Sequence, residues 1–283
     1  ITGIGAANGG NIYIDSRNDV SMLNNRLFAS GEGELGEIII GAEGTVTFDG
    51  PDSGAYSVLL SDNIGTSGNV KITAGNLEVL NGAQFTSSTI GPGNAGNVIL
   101  DIEETARFEG VSPSGETPSA ATSRVGPGGN GLAGDVRINA RNLEVLDGAF
   151  LDSGTSGTGN AGNVMLDIEE TARFDNGTAS SSVIVTEDSA QGAAGNIRIN
   201  ARNLEVLIDC VLDSITLVIG YAGNVILDIE ETARFDDSAV SSGALLGGEG
   251  NGGDVQLRAI NAYLNNSAFF SSGFGQGDAG NLN

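Results

Sequence analysis

Histidine and tryptophan are absent from these 283 residues, and lysine and cysteine occur once each, at Lys71 and Cys210. Without histidine, the chain has neither a Ser–His nucleophile pair nor a histidine-bound metal. A single cysteine excludes an intrachain disulfide. Cys210 stands where the sister repeats have Ala83 and Ala149, so we expect a small buried side chain rather than a catalytic thiol.

Positive charge is also scarce. Lysine and arginine total 12 against 36 aspartate and glutamate residues, which gives a formal net charge of −24. Because binding to nucleic acid or to an anionic membrane relies on clustered cations, we expect neither partner. No apolar run approaches the roughly 18 residues of a membrane helix, and no cationic segment leads into an apolar one at the start. We therefore expect no membrane insertion and no export signal within these residues.

What the sequence does contain is an internal repeat. GNVILDIEETARF begins at Gly96 and returns, once with Met for Ile, at Gly162 and Gly223. A second motif alternates with it and reads GNVKITAGNLEVLNGA from Gly68, GDVRINARNLEVLDGA from Gly134 and GNIRINARNLEVLIDC from Gly195. The structural unit is therefore one motif, and the evolutionary unit is a pair of motifs.

The residue after the first glycine of each motif serves as an anchor for the period. The intervals range from 26 residues, between Asn11 and Glu37, to 38 residues, between Asn97 and Asp135. Self-similarity at such a period indicates a solenoid or an array. We predict a single repeat domain over residues 1–283, as a fragment of a longer chain. The anchors are Asn11, Glu37, Asn69, Asn97, Asp135, Asn163, Asn196, Asn224, Asp254 and Asn281.

Apolar residues alternate within each repeat. Val136 and Ile138 are followed by Leu143 and Val145, and then by Ala149 and Leu151. This period of two indicates strands, and no helical stripe is long enough to compete. We predict an all-β fold, a right-handed parallel β-helix with about three short strands per turn, separated by Gly, Asn or Asp corners, and roughly nine to ten turns. The side chains expected to point inward are Val98, Leu100, Val136, Ile138, Leu143, Val145, Val164, Leu166, Ile197, Ile199, Leu204, Val206, Val225 and Leu227.

Two other repeat folds fit less well. Propeller blades need longer repeats of antiparallel strands, and the calcium β-roll needs a nonapeptide motif that GGEGNGGDV, near Gly247, matches only loosely. The longest interval contains VSPSGETPSAATSRVGPGGNGLAG, from Val111 to Gly134. We expect this Gly-, Ser- and Pro-rich stretch to form loop bulges at one corner of the solenoid.

Charged residues form two alternating columns, depending on how the repeats are aligned. Opposite charges on stacked turns favour one strand register, although each exposed pair contributes only about 0–1 kcal/mol. Counting six residues from each anchor gives Glu103, Arg141, Glu169, Arg202 and Glu230. Aligning the apolar pairs instead gives Glu78, Arg107, Glu144, Arg173, Glu205 and Arg234.

Polar residues also recur at fixed positions. Amides after glycine can bond the backbone of the next turn and form a ladder, and we expect this of Asn97, Asn163, Asn196, Asn224 and Asn281. We expect a long polar surface from Thr86, Ser87, Ser88, Ser153, Ser181, Ser241, Ser242, Ser271 and Ser272.

Recurrent carboxylates raise the question of a calcium site. The candidates lie on every second turn, about 9–10 Å apart by the strand spacing, so they can share an ion only if loops supply further ligands. We predict no catalytic and no cofactor-binding residue, and calcium remains an alternative at these carboxylates. They are Asp101, Glu104, Asp167, Glu170, Asp228 and Glu231.

One family resemblance rests on three segments. GNAGNVxLD at Gly93–Asp101, LEVxxGAxxxS at Leu143–Ser153 and GxGxAGN at Gly275–Asn281 resemble the repeat region of large cyanobacterial exoproteins of the filamentous haemagglutinin-like type. The resemblance covers nearly the whole chain. It implies a right-handed β-helix, secretion through an outer-membrane partner, and adhesion or surface coating. The amino-terminal secretion domain of that family is not recognisable here.

Our functional expectation is a non-catalytic structural or adhesive segment of an extracellular or cell-surface fibrous protein. Its expected partners are cell-surface, glycan or matrix components, and head-to-tail stacking of copies into fibres is a further interaction to consider. The alternative is a carbohydrate-active or carbohydrate-binding β-helix protein, similar to polysaccharide lyases and hydrolases. Such enzymes concentrate Asp and basic residues in one groove, whereas here Asp and Arg recur evenly.

Overall fold

The computed structural model describes residues 10–31, 33–60, 64–184, 191–244, 250–273 and 277–283, which form strands, turns and no helix. No helix long and apolar enough to cross a membrane occurs in these ranges. The strands are β1 Ile12–Ser16, β2 Val20–Leu23, β3 Arg26–Gly31, β4 Ile38–Asp49, β5 Gly54–Leu59, β6 Gly65–Thr66, β7 Val70–Leu80, β8 Gln84–Thr89, β9 Gly93–Asn94, β10 Val98–Ile102, β11 Thr105–Glu109, β12 Ala120–Val125, β13 Val136–Leu146, β14 Phe150–Thr155, β15 Val164–Asp175, β16 Thr178–Val183, β17 Ile197–Leu207, β18 Val211–Thr216, β19 Val225–Asp236, β20 Ala239–Ala244, β21 Val255–Arg258, β22 Asn261–Asn265 and β23 Ala268–Ser272.

These strands stack into two long parallel sheets. The first sheet runs β1-β4-β7-β10-β13-β15-β17-β19-β21, with β2, β11 and β22 continuing its shorter rungs. The second runs β3-β5-β8-β12-β14-β16-β18-β20-β23, and β6 pairs with β9. The chain alternates between the two long sheets, so it forms a parallel β-solenoid of about eight turns. The predicted β-helix is thus confirmed, with slightly fewer complete turns, and its right-handedness stays a prediction.

Most long strands of the first sheet bend in the middle. The register between β13 and β15 shifts between Ala140 and Asn142, where β15 carries one additional residue. This β-bulge explains why the sequence allowed two alignments that differ by one residue. The first charge column lies at the bulge and the second follows it. Two of the three predicted strands of a turn are therefore halves of one bent strand.

The core consists of stacked aliphatic side chains with a short aromatic column. All inward-pointing residues predicted above are 0–1 % exposed. Phe85 packs edge-on against Phe48 and Phe108, with ring centroids 5.0 and 6.5 Å apart. The alternation of apolar residues thus predicted the interior correctly. Cys210 is buried as expected, in the slot of Ala83 and Ala149, and burial raises the pKa of its thiol.

A polar ladder follows the corner that opens each turn. The Asn163 side-chain oxygen accepts the backbone N–H of Asn196 at 2.9 Å, and the Asn196 oxygen accepts that of Asn224 at 2.8 Å. Equivalent bonds from a backbone N–H to a side-chain oxygen join the other anchors along the solenoid, except between Glu37 and Asn69, where a bond between the two side chains takes their place. The predicted amide ladder is confirmed, and Asp135 and Asp254 serve as members of it.

Several serines expected on the surface are buried instead. Ser181 Oγ donates to the Gly162 carbonyl at 2.7 Å and accepts the Gly195 N–H at 2.8 Å. A Cβ on Gly195 would lie 2.0 Å from the Gly162 carbonyl oxygen, so the corners need glycine, and the hydroxyls satisfy their buried backbone groups. The expectation of a polar surface is wrong for Ser87, Ser153, Ser181, Ser241 and Ser242, which are 0–8 % exposed. Thr86, Ser88, Ser271 and Ser272 are half-buried.

The long insertion is only partly a loop. Residues Ala120–Val125 form β12 and pair with β8 and β14 along the second sheet. The loop expectation is therefore wrong for this segment. Its Thr122 and Ser123 occupy strand positions in register with Thr86 and Ser87. The Gly, Ser and Pro residues on both sides of this segment led to the loop expectation, although the segment itself is a regular strand.

Candidate functional site

An open groove of about 840 Å³ runs along the outside of the first sheet, where its long strands bend. It follows the solenoid axis across several rungs. Its bottom, here called the floor row, consists of Ile102, Ala140, Ile168, Ala201 and Ile229. The Asp/Asn row, which precedes the floor row by one residue in the sequence, consists of Asp101, Asn139, Asp167, Asn200 and Asp228, and the Glu row, which follows the floor row by one residue, consists of Glu103, Glu169 and Glu230.

Strand register places the Asp/Asn row in one line. Asp101 is the Cα partner of Asn139, which in turn partners Asp167 on the next rung. Asn139 Nδ2 donates to Asp101 Oδ1 at 2.6 Å, and Asn200 Nδ2 donates to Asp167 Oδ1. The amides of one motif thus separate the carboxylates of the other. As a result, like charges recur only on every second rung.

The last carboxylate of the Asp/Asn row is paired with arginines instead. Asp228 accepts from Arg198 Nη2 at 3.1 Å and from Arg258 Nη1 at 3.4 Å. Arg258 is the only cationic side chain among the described residues that line the groove. The groove is therefore acidic along most of its length.

The Glu row is only loosely paired. Arg141 Nη1 bonds both carboxylate oxygens of Glu104, at 2.8 and 2.7 Å, and its Nε lies 3.7 Å from Glu169. Arg202 likewise bonds both oxygens of Glu170 at 2.6 Å, with its Nε 3.9 Å from Glu230. The first predicted charge column is present. Its two arginines, however, bond tightly to Glu104 and Glu170, which each follow a glutamate of the column by one residue. The Glu103 carboxylate has no partner within the described residues.

The second predicted charge column lies beyond the bend. Its members are Cα partners along the stacked rungs, and Arg107 contacts Glu144 at 3.1 Å. Arg173 and Arg234, however, bond Asp175 and Asp236 on their own strands, at 2.7 and 3.0 Å. This column therefore supports the register only in part.

The six calcium candidates do not converge on one point. Asp101, Asp167 and Asp228 belong to the Asp/Asn row, while Glu104 and Glu170 bond arginines at the bend. Glu231 is exposed. Within the ranges that the structure describes, no three acidic, cysteine or histidine side chains are grouped as a metal site requires.

Two carboxylates on the outer face of the second sheet escaped sequence reasoning. Asp152 is 2 % exposed, and Arg124 Nε donates to its Oδ2 at 2.6 Å. Burial raises the pKa of Asp152. Burial also raises the pKa of Asp213. A hydrogen bond with the Ser180 side chain lowers this pKa in part, and the negative charge of Asp152 raises it further. Asp213 Oδ1 is buried and has no partner among the residues described.

A sequence signal for these carboxylates did exist. Asp152 lies in the tripeptide Leu-Asp-Ser that follows the corner of its repeat, and Asp213 lies in the same tripeptide of a later repeat. Each acid stands between inward-pointing residues, so its side chain points away from the core. The sequence does not show that the outer face of this sheet is itself partly covered.

Comparisons with known proteins add no relative. No protein-family model matches the chain, and neither a curated protein nor a solved structure matches it. The fold and its repeats define the class as a parallel β-solenoid repeat region.

Proposed function

We propose that this chain is a non-catalytic structural and adhesive segment of a secreted or cell-surface fibrous protein. The observation that carries the proposal is the continuity of the corner ladder. From Asn11 to Asn281, a hydrogen bond joins each anchor side chain to the next anchor. A ladder of this kind links every turn to the next, as a load-transmitting rod requires.

The surface chemistry supports the same proposal. Groove carboxylates recur evenly, and those of the Asp/Asn row hydrogen-bond to amides or arginines of neighbouring rungs, whereas enzymes concentrate perturbed groups at one place. The two buried aspartates with raised pKa lie on the second sheet, away from the groove. The resemblance of the Gly-Asn-Ala-Gly-Asn and Leu-Glu-Val motifs to filamentous haemagglutinin-like exoproteins further supports an extracellular location.

The test combines adhesion with turnover on the same preparation. The purified chain, immobilised on beads, should bind to cell-surface or matrix preparations. It should release no reducing ends from a panel of neutral and acidic polysaccharides. Release of reducing ends, abolished by Asp152→Asn or by Asp167→Asn, would contradict the proposal and identify the catalytic carboxylate.

A carbohydrate-binding or carbohydrate-active protein is the second candidate. The groove favours it, because an open channel several rungs long suits a linear polymer better than a compact ligand. A glycan array separates the candidates. Binding to one glycan class, lost when the Glu row is neutralised, would favour this second function.

A further inference from the structure

The groove repeats every two rungs. Asp101 with Glu103, Asp167 with Glu169, and Asp228 with Glu230 form carboxylate pairs, each separated in the sequence by one residue of the floor row. Adjacent parallel strands lie about 4.8 Å apart, so successive pairs are about 9.6 Å apart and the outer two about 19 Å apart. A ligand that uses all three pairs needs groups repeated at this interval.

Among regular peptide conformations, polyproline II has the matching period. It rises about 3.1 Å per residue with three residues per turn, so every third side chain returns to the same face after about 9.3 Å. Same-face residues of a β-strand recur after about 6.7 Å, and an α-helix rises about 5.4 Å per turn. Over three carboxylate pairs, the span of the groove and the length of two polyproline II turns differ by less than about 1 Å.

The charge of the groove determines which side chains of a bound peptide should lie opposite the carboxylate pairs. Six carboxylates and one arginine line the groove. The Glu169 and Glu230 side chains are 73 % and 74 % exposed, and the nearest arginine nitrogens lie 3.7 and 3.9 Å away. These carboxylates can accept a further cation without breaking the tight Arg141–Glu104 and Arg202–Glu170 pairs.

We propose that the groove binds an extended polyproline II segment that carries a lysine or arginine at every third residue. This deepens the adhesive function proposed above and rests on it. The cations pair with the three sets of carboxylates, and the intervening residues cover the floor row. No aromatic side chain lines the groove within the described residues, so there is no ring for a sugar face to stack on. The groove should therefore select its peptide by the spacing of the cations.

The experiment compares two labelled peptides by fluorescence anisotropy with the full chain. Ac-(Lys-Pro-Pro)3-NH2 has the matching period, and Ac-(Lys-Pro-Pro-Pro)3-NH2 has the same charge with a longer one. We expect the first to bind at least about tenfold more tightly, with an affinity that falls as salt rises. Equal affinities would overturn the proposal.

Two charge-matched variants locate the site. E103Q/E169Q/E230Q should weaken binding of the first peptide about tenfold or more. D147N/D209N/D237N, which neutralises exposed corner aspartates, should change it less than about twofold, since asparagine tolerates their positive φ. Equal losses in both variants would indicate attraction to net charge alone and would contradict the proposal. Thermal melts of both variants verify that they fold.

A glucosamine oligomer tests the competing ligand class. If it displaces the first peptide at equal or lower concentration, the groove is a sugar site and the proposal is wrong. If no probe binds while the chain still adheres and shows no turnover, the groove assignment fails and the proposed adhesive function stands.

Discussion

Asn163 accepts the backbone N–H of Asn196, one turn further along the chain, at 2.9 Å. Its own Nδ2 donates to Asp135 Oδ1 at 2.9 Å, one turn back. A single side chain thus ties three turns together. Because this arrangement recurs at the anchors, it sets the stacking register together with the apolar core.

Replacement of Asn163 by Leu should therefore lower the melting temperature. The substitution removes the acceptor of the Asn196 N–H and the donor to Asp135 Oδ1, and each such hydrogen bond contributes about 0.5–1.5 kcal/mol. Asn163→Asp should recover only part of the stability, because it keeps the acceptor for the Asn196 N–H but places a carboxylate against Asp135 Oδ1, to which Asn163 Nδ2 donates at 2.9 Å. Asn130→Leu is the control, because Asn130 is exposed and lies outside the ladder. Equal destabilisation by Asn163→Leu and Asn130→Leu would contradict a special role for the ladder.

The buried serines make a second prediction. Ser181→Ala removes both the donor to Gly162 and the acceptor for the Gly195 N–H. We expect it to destabilise the chain by about 1–3 kcal/mol in urea unfolding. Ser88→Ala, at a half-buried position on the opposite face of a strand, should have an effect within about 0.5 kcal/mol. If both variants unfold at the wild-type midpoint, the serine bridges contribute nothing measurable.

Asp213 should make stability depend on pH. Burial raises its folded-state pKa above the ordinary 3.8, so the folded chain binds this proton more tightly than the unfolded chain does. Its contribution is therefore most favourable below about pH 4 and declines as pH rises from there through the raised folded-state pKa.

Asp213→Asn should raise the melting temperature at pH 7, and the gain should shrink towards pH 4. Asp152→Asn should raise the melting temperature less, because Arg124, which contacts the Asp152 carboxylate at 2.6 Å, offsets part of the cost of burying it. A lower melting temperature for Asp213→Asn at pH 7 would mean that its carboxylate is stabilised in the fold after all.

One corner of the solenoid is strained. Ile208 has φ 39° and Asp209 has φ 55°, where the sister repeat has Asp147 and Gly148. Left-handed backbone costs a β-branched residue about 1–2 kcal/mol. The double substitution Ile208→Asn with Asp209→Gly should therefore raise the unfolding free energy by about 1 kcal/mol or more, measured by urea titration.

The reverse exchange, Asp147→Ile with Gly148→Asp, serves as the matched control. It should destabilise, because a Cβ at Gly148 would lie 3.0 Å from Val111 Cγ1. If both exchanges change stability in the same direction, corner conformation is not the cause.

The sequence predicted the solenoid because two signals agreed. The alternation of residues such as Val136 and Ile138 indicated the strands, and the recurrent anchors, among them Asn163, indicated the turns. The buried serines were missed because hydroxyls were assigned to the surface. Yet Ser87 shares the inward face of β8 with Phe85, two residues earlier, and alternation alone already implied its burial.

The groove was missed for a different reason. It exists because the long strands bend at the bulge beside Ala140, and the only trace of that bulge in the sequence is a one-residue misalignment between motifs. Which side chains face each other across a bend depends on its direction. Pattern analysis of single strands does not contain that information.

Distance measurements along the Glu row test the central claim most directly. Cys210→Ala provides a background without cysteine, since the sister repeats have Ala83 and Ala149 there. Spin labels are placed pairwise by Glu103→Cys, Glu169→Cys and Glu230→Cys, and their separations are measured by electron paramagnetic resonance. We expect equal separations of about 10 Å for the two neighbouring pairs and about 19 Å for the outer pair. Unequal neighbouring separations, or an outer separation that is not close to their sum, would contradict the regular two-rung solenoid.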